Sequence, residues 1–393
     1  MTATDVRYVL PEDADLVPLP EAEEVLLSRR GSRTTPQLLS ADAMRLLERF
    51  RTPATVTEAV LGYCAATGAD PMTTVDEAFG VLVAATRAQL LVVEGSEAAA
   101  AVTDRLRVGQ TVGPATIRAR LRVLRDSEIW RAVLADGTPV VVKVVDEPVL
   151  GPDLVAREVA ALRRLAVLAG GTVPRLHWHE VSATGGTLVL GEVVGDPVDL
   201  AVCVATPQAR LQVVAAVLEA YVAIHDHGVL HGDVHPGNVL VRPDGGVTVL
   251  DFGLAAVAGA GLPPPPRPTG GEHLDPETAA ALRDDLPFPP LDAAGEQYSV
   301  AALAYRLLTG APHLDLACER HVALGRIVAD APRRFTAVGA TPWPAGERAL
   351  RRALSRRPRD RYESLAALRD AVARAVPAAV PAAPAAGRRR RAA

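Results

Sequence analysis

Apolar and polar positions fall into three successive textures along the chain. Up to about residue 105, short apolar runs punctuated by turn residues give way to helical spacing, beginning with Leu38, Leu39, Leu46, Leu47 and Phe50. A second helix is predicted over 55–67. A third amphipathic face, over 76–87, carries Val75, Phe79, Leu82 and Val83 at helical spacing. From about 108 to 202 the pattern is strand-rich, with strand-like runs at 118–124, 129–134, 140–145, 175–181 and 187–194. One amphipathic helix, 156–165, interrupts them soon after Pro152 and Asp153, residue types that open helices. From 207 to about 374 the spacing is helical again, broken by short strands near 239 and 248 and by a proline run over 262–271. That run is expected to be an extended surface loop. After about 375 the chain is Ala/Pro-rich and ends in Arg388–Arg391, the composition of a solvated, disordered tail.

Composition narrows the class. A chain of 393 residues with 49% hydrophobic and 22% charged positions can build more than one core, so two domains of a soluble globular protein are expected. Its 42 basic and 46 acidic residues give a net charge of -4, too little to imply nucleic acid or a membrane surface as a partner. Cys64, Cys203 and Cys318 are far apart and odd in number, which suggests neither a disulfide framework nor a zinc cluster and fits a reducing, cytoplasmic setting. The first residues carry acids and prolines, and no apolar run approaches the roughly 18 residues of a membrane span, so neither a signal peptide nor a span is expected.

The chemistry is concentrated in two short motifs, His-Gly-Asp-Val-His-Pro-Gly-Asn at 231–238 and Leu-Asp-Phe-Gly at 250–253. Phosphoryl transfer asks little covalent help of a protein; it needs the acceptor hydroxyl positioned and the phosphate charge neutralised. Asp233 is suited to orient and deprotonate a hydroxyl. Asn238 and Asp251 supply the oxygen ligands that magnesium prefers.

These motifs resemble the catalytic and metal-binding loops of the protein kinase superfamily. The resemblance covers about residues 115–374 and implies an α+β, bilobal fold, with a strand-rich N-lobe over 106–195 and a helical C-lobe over 196–375. It also implies ATP and Mg2+ as cofactors. Lys143 then falls where a strand lysine holds the ATP phosphates, and Glu158 where a helix glutamate pairs with that lysine. Residues 192–195 match the hinge that receives adenine, which makes Glu192 and Val194 nucleotide contacts, and Gly191 matches the position gating the pocket behind it. Asp233 takes the place of the catalytic base, while Asn238 and Asp251 take those of the metal ligands. Residues 271–277 resemble the end of an activation segment, 296–310 the helix beneath the catalytic loop, and Arg361 the arginine that pairs with Glu277.

Departures from the family pattern carry their own expectations. The segment 122–129, where a glycine-rich nucleotide loop belongs, contains no glycine and leaves Arg125 or Ser127 as phosphate-contacting candidates. Gly232 replaces the arginine that receives an activation-loop phosphate, and Thr269 is the one hydroxyl side chain between Phe252 and Glu277, so activity without loop phosphorylation is expected. His235 stands where Ser/Thr kinases carry a phosphate-contacting lysine, a trait similar to the aminoglycoside and choline phosphotransferases. Residues 6–95 are similar in pattern to PqqD-like winged-helix domains, which implies capture of a leader peptide by strand addition within a domain spanning 1–105. Three readings stay open: a Ser/Thr kinase acting on a peptide or protein, including a precursor peptide whose phosphate a partner lyase or cyclase pathway removes; a small-molecule phosphotransferase; and a pseudokinase scaffold.

Overall fold

The computed structural model describes residues 6–18, 24–29, 37–87, 89–100, 102–168, 170–203, 205–267, 271–316 and 320–376. The expected tail and Thr269 lie outside them. The chain divides into two compact units, Met1–Glu147 and Pro148–Ala393.

The first unit opens with β1 (Arg7–Val9) and the antiparallel meander β2 (Ala14–Pro18), β3 (Glu24–Arg29) and β4 (Gln37–Ser40). Next come α1 (Ala41–Leu47), β5 (Ala54–Thr55), α2 (Val56–Thr67), α3 (Pro71–Arg87) and β6 (Val92–Val93), with β5 and β6 flanking β1. Leu39, expected to start a helix, belongs to β4; the helix begins after Ser40, whose side chain accepts the Ala43 N–H. The start of α2 matches its prediction because Thr55 and Glu58 bond each other's backbone N–H reciprocally. Leu10, Leu27, Leu46, Leu47, Phe50, Leu82, Leu90 and Leu91 share one core.

The predicted apolar face of α3 holds at Leu82 and is corrected at Val75 and Phe79. Its buried stripe is Ala78, Leu82 and Ala85, while Val75 and Phe79 are 51% and 69% exposed. Positions 78, 82 and 85 follow the helical repeat onto the core, and 75 and 79 sit about a quarter turn away. Leu82 makes the contact together with the small Ala78 and Ala85.

The first unit ends in an antiparallel series, β7 (Thr111–Val112), β8 (Ala115–Val123), β9 (Ser127–Leu134) and β10 (Pro139–Asp146). Ala115, Ile117, Trp130, Ala132, Val140 and Val142 are buried, and Lys143 on β10 is buried with them.

The second unit begins with α4 (Gly151–Leu165), packed on the hairpin of β11 (Leu176–Ser182) and β12 (Gly185–Gly191). Its helical part comprises β13 (Asp196–Pro197), α5 (Val198–Cys203), α6 (Pro207–Asp226), β14 (Val229–Leu230), β15 (Val239–Val241), β16 (Val247–Val249) and β17 (Ala256–Val257). These are followed by α7 (Pro276–Arg283), α8 (Ala293–Thr309), α9 (Arg320–Ala329), α10 (Pro344–Ala353) and α11 (Leu365–Ala375). Helix α8 packs against α6 and α10, and the small sheets β13–β15–β16 and β14–β17 frame the loop between β14 and β15. The described part of the proline run, 262–267, is the extended surface segment expected from sequence, and it is anchored by side chains. The guanidinium of Arg157, on α4, donates to the Pro263 and Pro264 carbonyls, and that of Arg267 to Asp275 and Thr278.

Candidate active site

The loop between β14 and β15 carries His231, Asp233, His235 and Asn238. His231 is fully buried. Its Nδ1 lies 3.2 Å from the Asp233 N–H, which can only donate, so Nε2 carries the proton and donates to the Leu250 carbonyl at 2.8 Å. This one ring therefore ties the loop to the strand end that leads into Asp251. The rings of Tyr221 and Phe252 approach it edge-on, at centroid separations of 5.8 and 4.9 Å.

Glu296, at the start of α8, holds the loop from below. Its Oε1 accepts the His231 N–H at 2.9 Å and bonds His225 Nε2 at 2.8 Å, and its Oε2 accepts the Gly232 N–H at 2.7 Å. Burial pushes this carboxyl upward, but the His225 bond, the neighbouring His225 and His231 imidazoles and the His231 N–H outweigh it, so its pKa is lowered. Gly232 adopts φ of +79°, and a Cβ there would collide with the Leu254 carbonyl oxygen. The family's arginine cannot be accommodated in this loop geometry.

Asp233, His235 and Asn238 come together above this support. Asn238 Nδ2 donates to the Asp233 carbonyl at 3.0 Å and to its Oδ2 at 3.2 Å. His235 Nδ1 accepts the Gly237 N–H at 3.1 Å, which leaves Nε2 facing Asp233 Oδ2 at 3.5 Å. Burial raises the Asp233 pKa and Asp251 adds to this, but the hydrogen bond to His235 and the neighbouring His235 and His231 imidazoles overcome both, so the net shift is downward. Asp233 is thus a carboxylate at neutral pH. Asp251 holds the left-handed φ of +60°, rare for a residue with a Cβ, and its Oδ1 accepts the Gly253 N–H at 3.3 Å. Glu158 is buried on α4, and Glu192 and Val194 follow β12, with Val194 71% exposed. Lys143 belongs to the first unit.

The oxygen chemistry fits a magnesium–nucleotide complex. Asn238 spends its amide nitrogen on Asp233, which leaves its oxygen as the donor atom, and Asp251, at the end of the strand that His231 ties to the loop, offers a hard carboxylate. Among the described residues no group of three or more His, Cys, Asp or Glu side chains converges as a metal cage. An ion here would complete its shell with phosphate oxygens and water, as magnesium commonly does.

The expected pair of Arg361 and Glu277 is present, at 2.8 and 3.0 Å, and Arg361 also donates to the Ser355 and Ala294 carbonyls at 2.8 and 2.9 Å. Burial raises the Glu277 pKa, opposed by Arg361. Glu296, His225 and His231 were not singled out by sequence reasoning. The available signals were an acid in the first turn of a mostly apolar helix and two histidines six residues apart.

Residues 194–261 match the family model described as a phosphotransferase enzyme family, APH. Serine/threonine-protein kinase PknL of Mycobacterium tuberculosis is 32% identical over 245 residues, 58% of this chain and 57% of PknL. Probable serine/threonine-protein kinase PknB of Corynebacterium glutamicum is 29% identical over 167 residues, 40% of this chain and 25% of PknB. These similarities support a kinase-like phosphotransferase domain. The chain spans little more than half the length of PknL, the longer of these two matches. No helix of the described residues is long and apolar enough to cross a membrane.

Proposed function

We propose that this chain transfers the γ-phosphoryl group of ATP to a Ser or Thr hydroxyl of a peptide or protein. The observation carrying the reading is the Asp233 carboxylate, kept ionised and aimed by Asn238 and His235 within the field of Asp251. The hydroxyl oxygen bonds phosphorus as the bond to the β-phosphate oxygen breaks, and Asp233 takes the hydroxyl proton. Bound magnesium would neutralise phosphate charge, with Asn238 and Asp251 as its protein ligands. Lys143 is assigned to the phosphates, Glu158 to orienting Lys143, and the backbone around Glu192 and Val194 to adenine. His235 Nε2–H is suited to donate to the transferring group. The Arg361–Glu277 pair and α8 favour a protein acceptor, as does the resemblance to proteins named serine/threonine kinases.

The match of 194–261 to the APH model favours a second reading, a small alcohol as acceptor. Capture of a precursor peptide by residues 6–95, with a separate lyase acting on the phosphorylated product, rests on the edge strands β2 and β4 and on the exposed Met72, Val75 and Phe79 of α3. Transfer of radiolabelled phosphate from ATP to Ser/Thr peptides and to small alcohols, compared side by side, separates the acceptors. Asp233→Asn should lower turnover by about three orders of magnitude while leaving nucleotide affinity nearly unchanged. Equal turnover in wild type and Asp233→Asn would refute the assignment.

A further inference from the structure

The turn joining β8 to β9 stands where the resemblance puts a glycine-rich nucleotide loop, yet Leu124, Arg125 and Asp126 connect the strands directly. It is held from several sides. The Leu124 N–H donates to the Ser127 carbonyl at 2.7 Å, and the Asp146 N–H, at the end of β10, donates to the Asp126 carbonyl at 2.8 Å. The Arg105 guanidinium donates to the Arg125 carbonyl at 2.6 Å. Its backbone N–H meets Oε1 of the fully buried Glu128 at 2.6 Å, and Glu128 Oε2 accepts Trp130 Nε1–H at 2.8 Å.

Arg125 reaches away from the turn. Its guanidinium donates to the carbonyls of Glu97 at 2.6 Å and Ala98 at 2.9 Å, and to that of Ala100. The Ala98 carbonyl also accepts from Arg29 of β3. Arg29 is buried and is itself fixed by Asp13 at 2.9 Å and by the Gln89 carbonyl at 2.9 Å. A carbonyl oxygen has two lone pairs, so two guanidinium groups can share it. Arg125, Ala98 and Arg29 thereby make a continuous polar chain from the turn to the N-terminal sheet. Arg125 is not a free cation awaiting phosphate but is committed to this chain, and the buried Ser127 hydroxyl bonds Asp126 Oδ1 at 3.1 Å.

We propose that Arg125 is a positioning residue for nucleotide binding, anchoring the β8–β9 turn to residues 97–100 and, through Ala98 and Arg29, to the N-terminal sheet. The inference rests on the proposed ATP-dependent function for its nucleotide part. A glycine loop approaches phosphate by being permissive, and must be ordered when the ligand arrives. An anchored turn is ordered on folding. Three carbonyls arrayed around one planar fork require arginine, because a lysine ammonium is a point donor on a flexible stem.

The test compares full-length wild type, Arg125→Ala and Arg125→Lys by amide hydrogen exchange over 122–128, by calorimetric binding of a non-hydrolysable ATP analogue with Mg2+, and by steady-state kinetics. Exchange over 122–128 should rise about tenfold in Arg125→Ala and less in Arg125→Lys. The KM for ATP should rise about tenfold, with kcat at saturating ATP within about twofold of wild type. A lesion that merely loosened the fold would lower kcat as well. Unchanged exchange in Arg125→Ala, with wild type binding nucleotide normally, overturns this inference alone. Faster exchange with unchanged nucleotide affinity overturns the positioning role. A wild type that binds no nucleotide overturns the proposed function, and the exchange measurement then still decides whether the anchor exists.

Discussion

Arg157 on α4 donates to the carbonyl of Pro263 at 2.5 Å and to that of Pro264 at 3.2 Å from a side chain only 2% exposed. Burial lowers its pKa, partly opposed by Asp153, yet a guanidinium stays charged at neutral pH. Helix α4 is therefore joined to the segment after the Asp-Phe-Gly motif by charge-assisted bonds to backbone, with no phosphate in the link. Arg267 fixes the same segment from its other end, onto Asp275 and Thr278.

This geometry predicts turnover that does not depend on phosphorylation. Phosphatase treatment and Thr269→Ala should each leave kcat within about twofold, whereas Arg157→Ala should lower it about tenfold or more, the effect expected from losing charged hydrogen bonds. Arg157→Lys should recover part of the loss. Phosphate transfer to a Ser/Thr peptide by untreated and treated protein checks this, and a phosphatase-sensitive wild type would count against it.

Gly232 should tolerate no side chain. Its φ of +79° and the Leu254 carbonyl in the place a Cβ would take mean that Gly232→Ala displaces the catalytic loop, and Gly232→Arg, the replacement matching the resembled motif, displaces it further. The expected cost is on the order of 1–3 kcal/mol in stability, with a larger fractional loss of kcat. Urea unfolding alongside kinetics reads both. An active Gly232→Arg protein with wild-type stability would show that the loop geometry is not required.

Glu296→Gln should separate support from shape. The amide keeps one oxygen for a backbone N–H but sets an NH2 against another donor, and it removes the charge facing His225. Leaving buried donors unpaired costs about 2–4 kcal/mol. Because Glu296 bonds the N–H groups directly before Asp233, kcat should fall while the KM for ATP changes little. Equal losses in kcat and ATP affinity would point to general loosening instead.

Local signals were legible in the sequence, and long-range ones were not. Helical spacing announced α2, which the Thr55–Glu58 capping box starts, and strand-like runs announced β8–β12. The pair of Arg361 and Glu277, 84 positions apart, was foreseen through family resemblance rather than spacing. Glu296 reads as an ordinary helix-start acid until folding brings it against His231, 65 positions earlier. Nothing local in the sequence says that Arg157 bonds carbonyls of the proline run, more than a hundred positions on. On α3, side-chain size misled: Val75 and Phe79 outrank Ala78 and Ala85 in hydrophobicity but face outward.

Stability should fall on mild acidification, and His313 offers the clearest handle. Burial, with help from the charge of Arg333, lowers its pKa from 6.5 to about 4. Its Nε2 lies 2.8 Å from the Tyr298 hydroxyl, whose own pKa burial pushes up, so the phenol donates and the imidazole accepts. His273 is lowered further, to about 3, by burial and by the charges of His313, His235 and Arg306. A histidine whose folded pKa lies below its unfolded value binds fewer protons in the native state across the interval. Unfolding free energy therefore rises with pH through that interval, is complete above about 6.5, and is lost as pH falls toward 4. For His313 the linkage is of order 3 kcal/mol. His313→Gln keeps an acceptor for Tyr298 and cannot titrate, so the difference between wild type and variant in denaturant midpoint should narrow or reverse between pH 6.5 and 4. Parallel pH profiles for the two proteins would show that His313 is not held neutral by the fold.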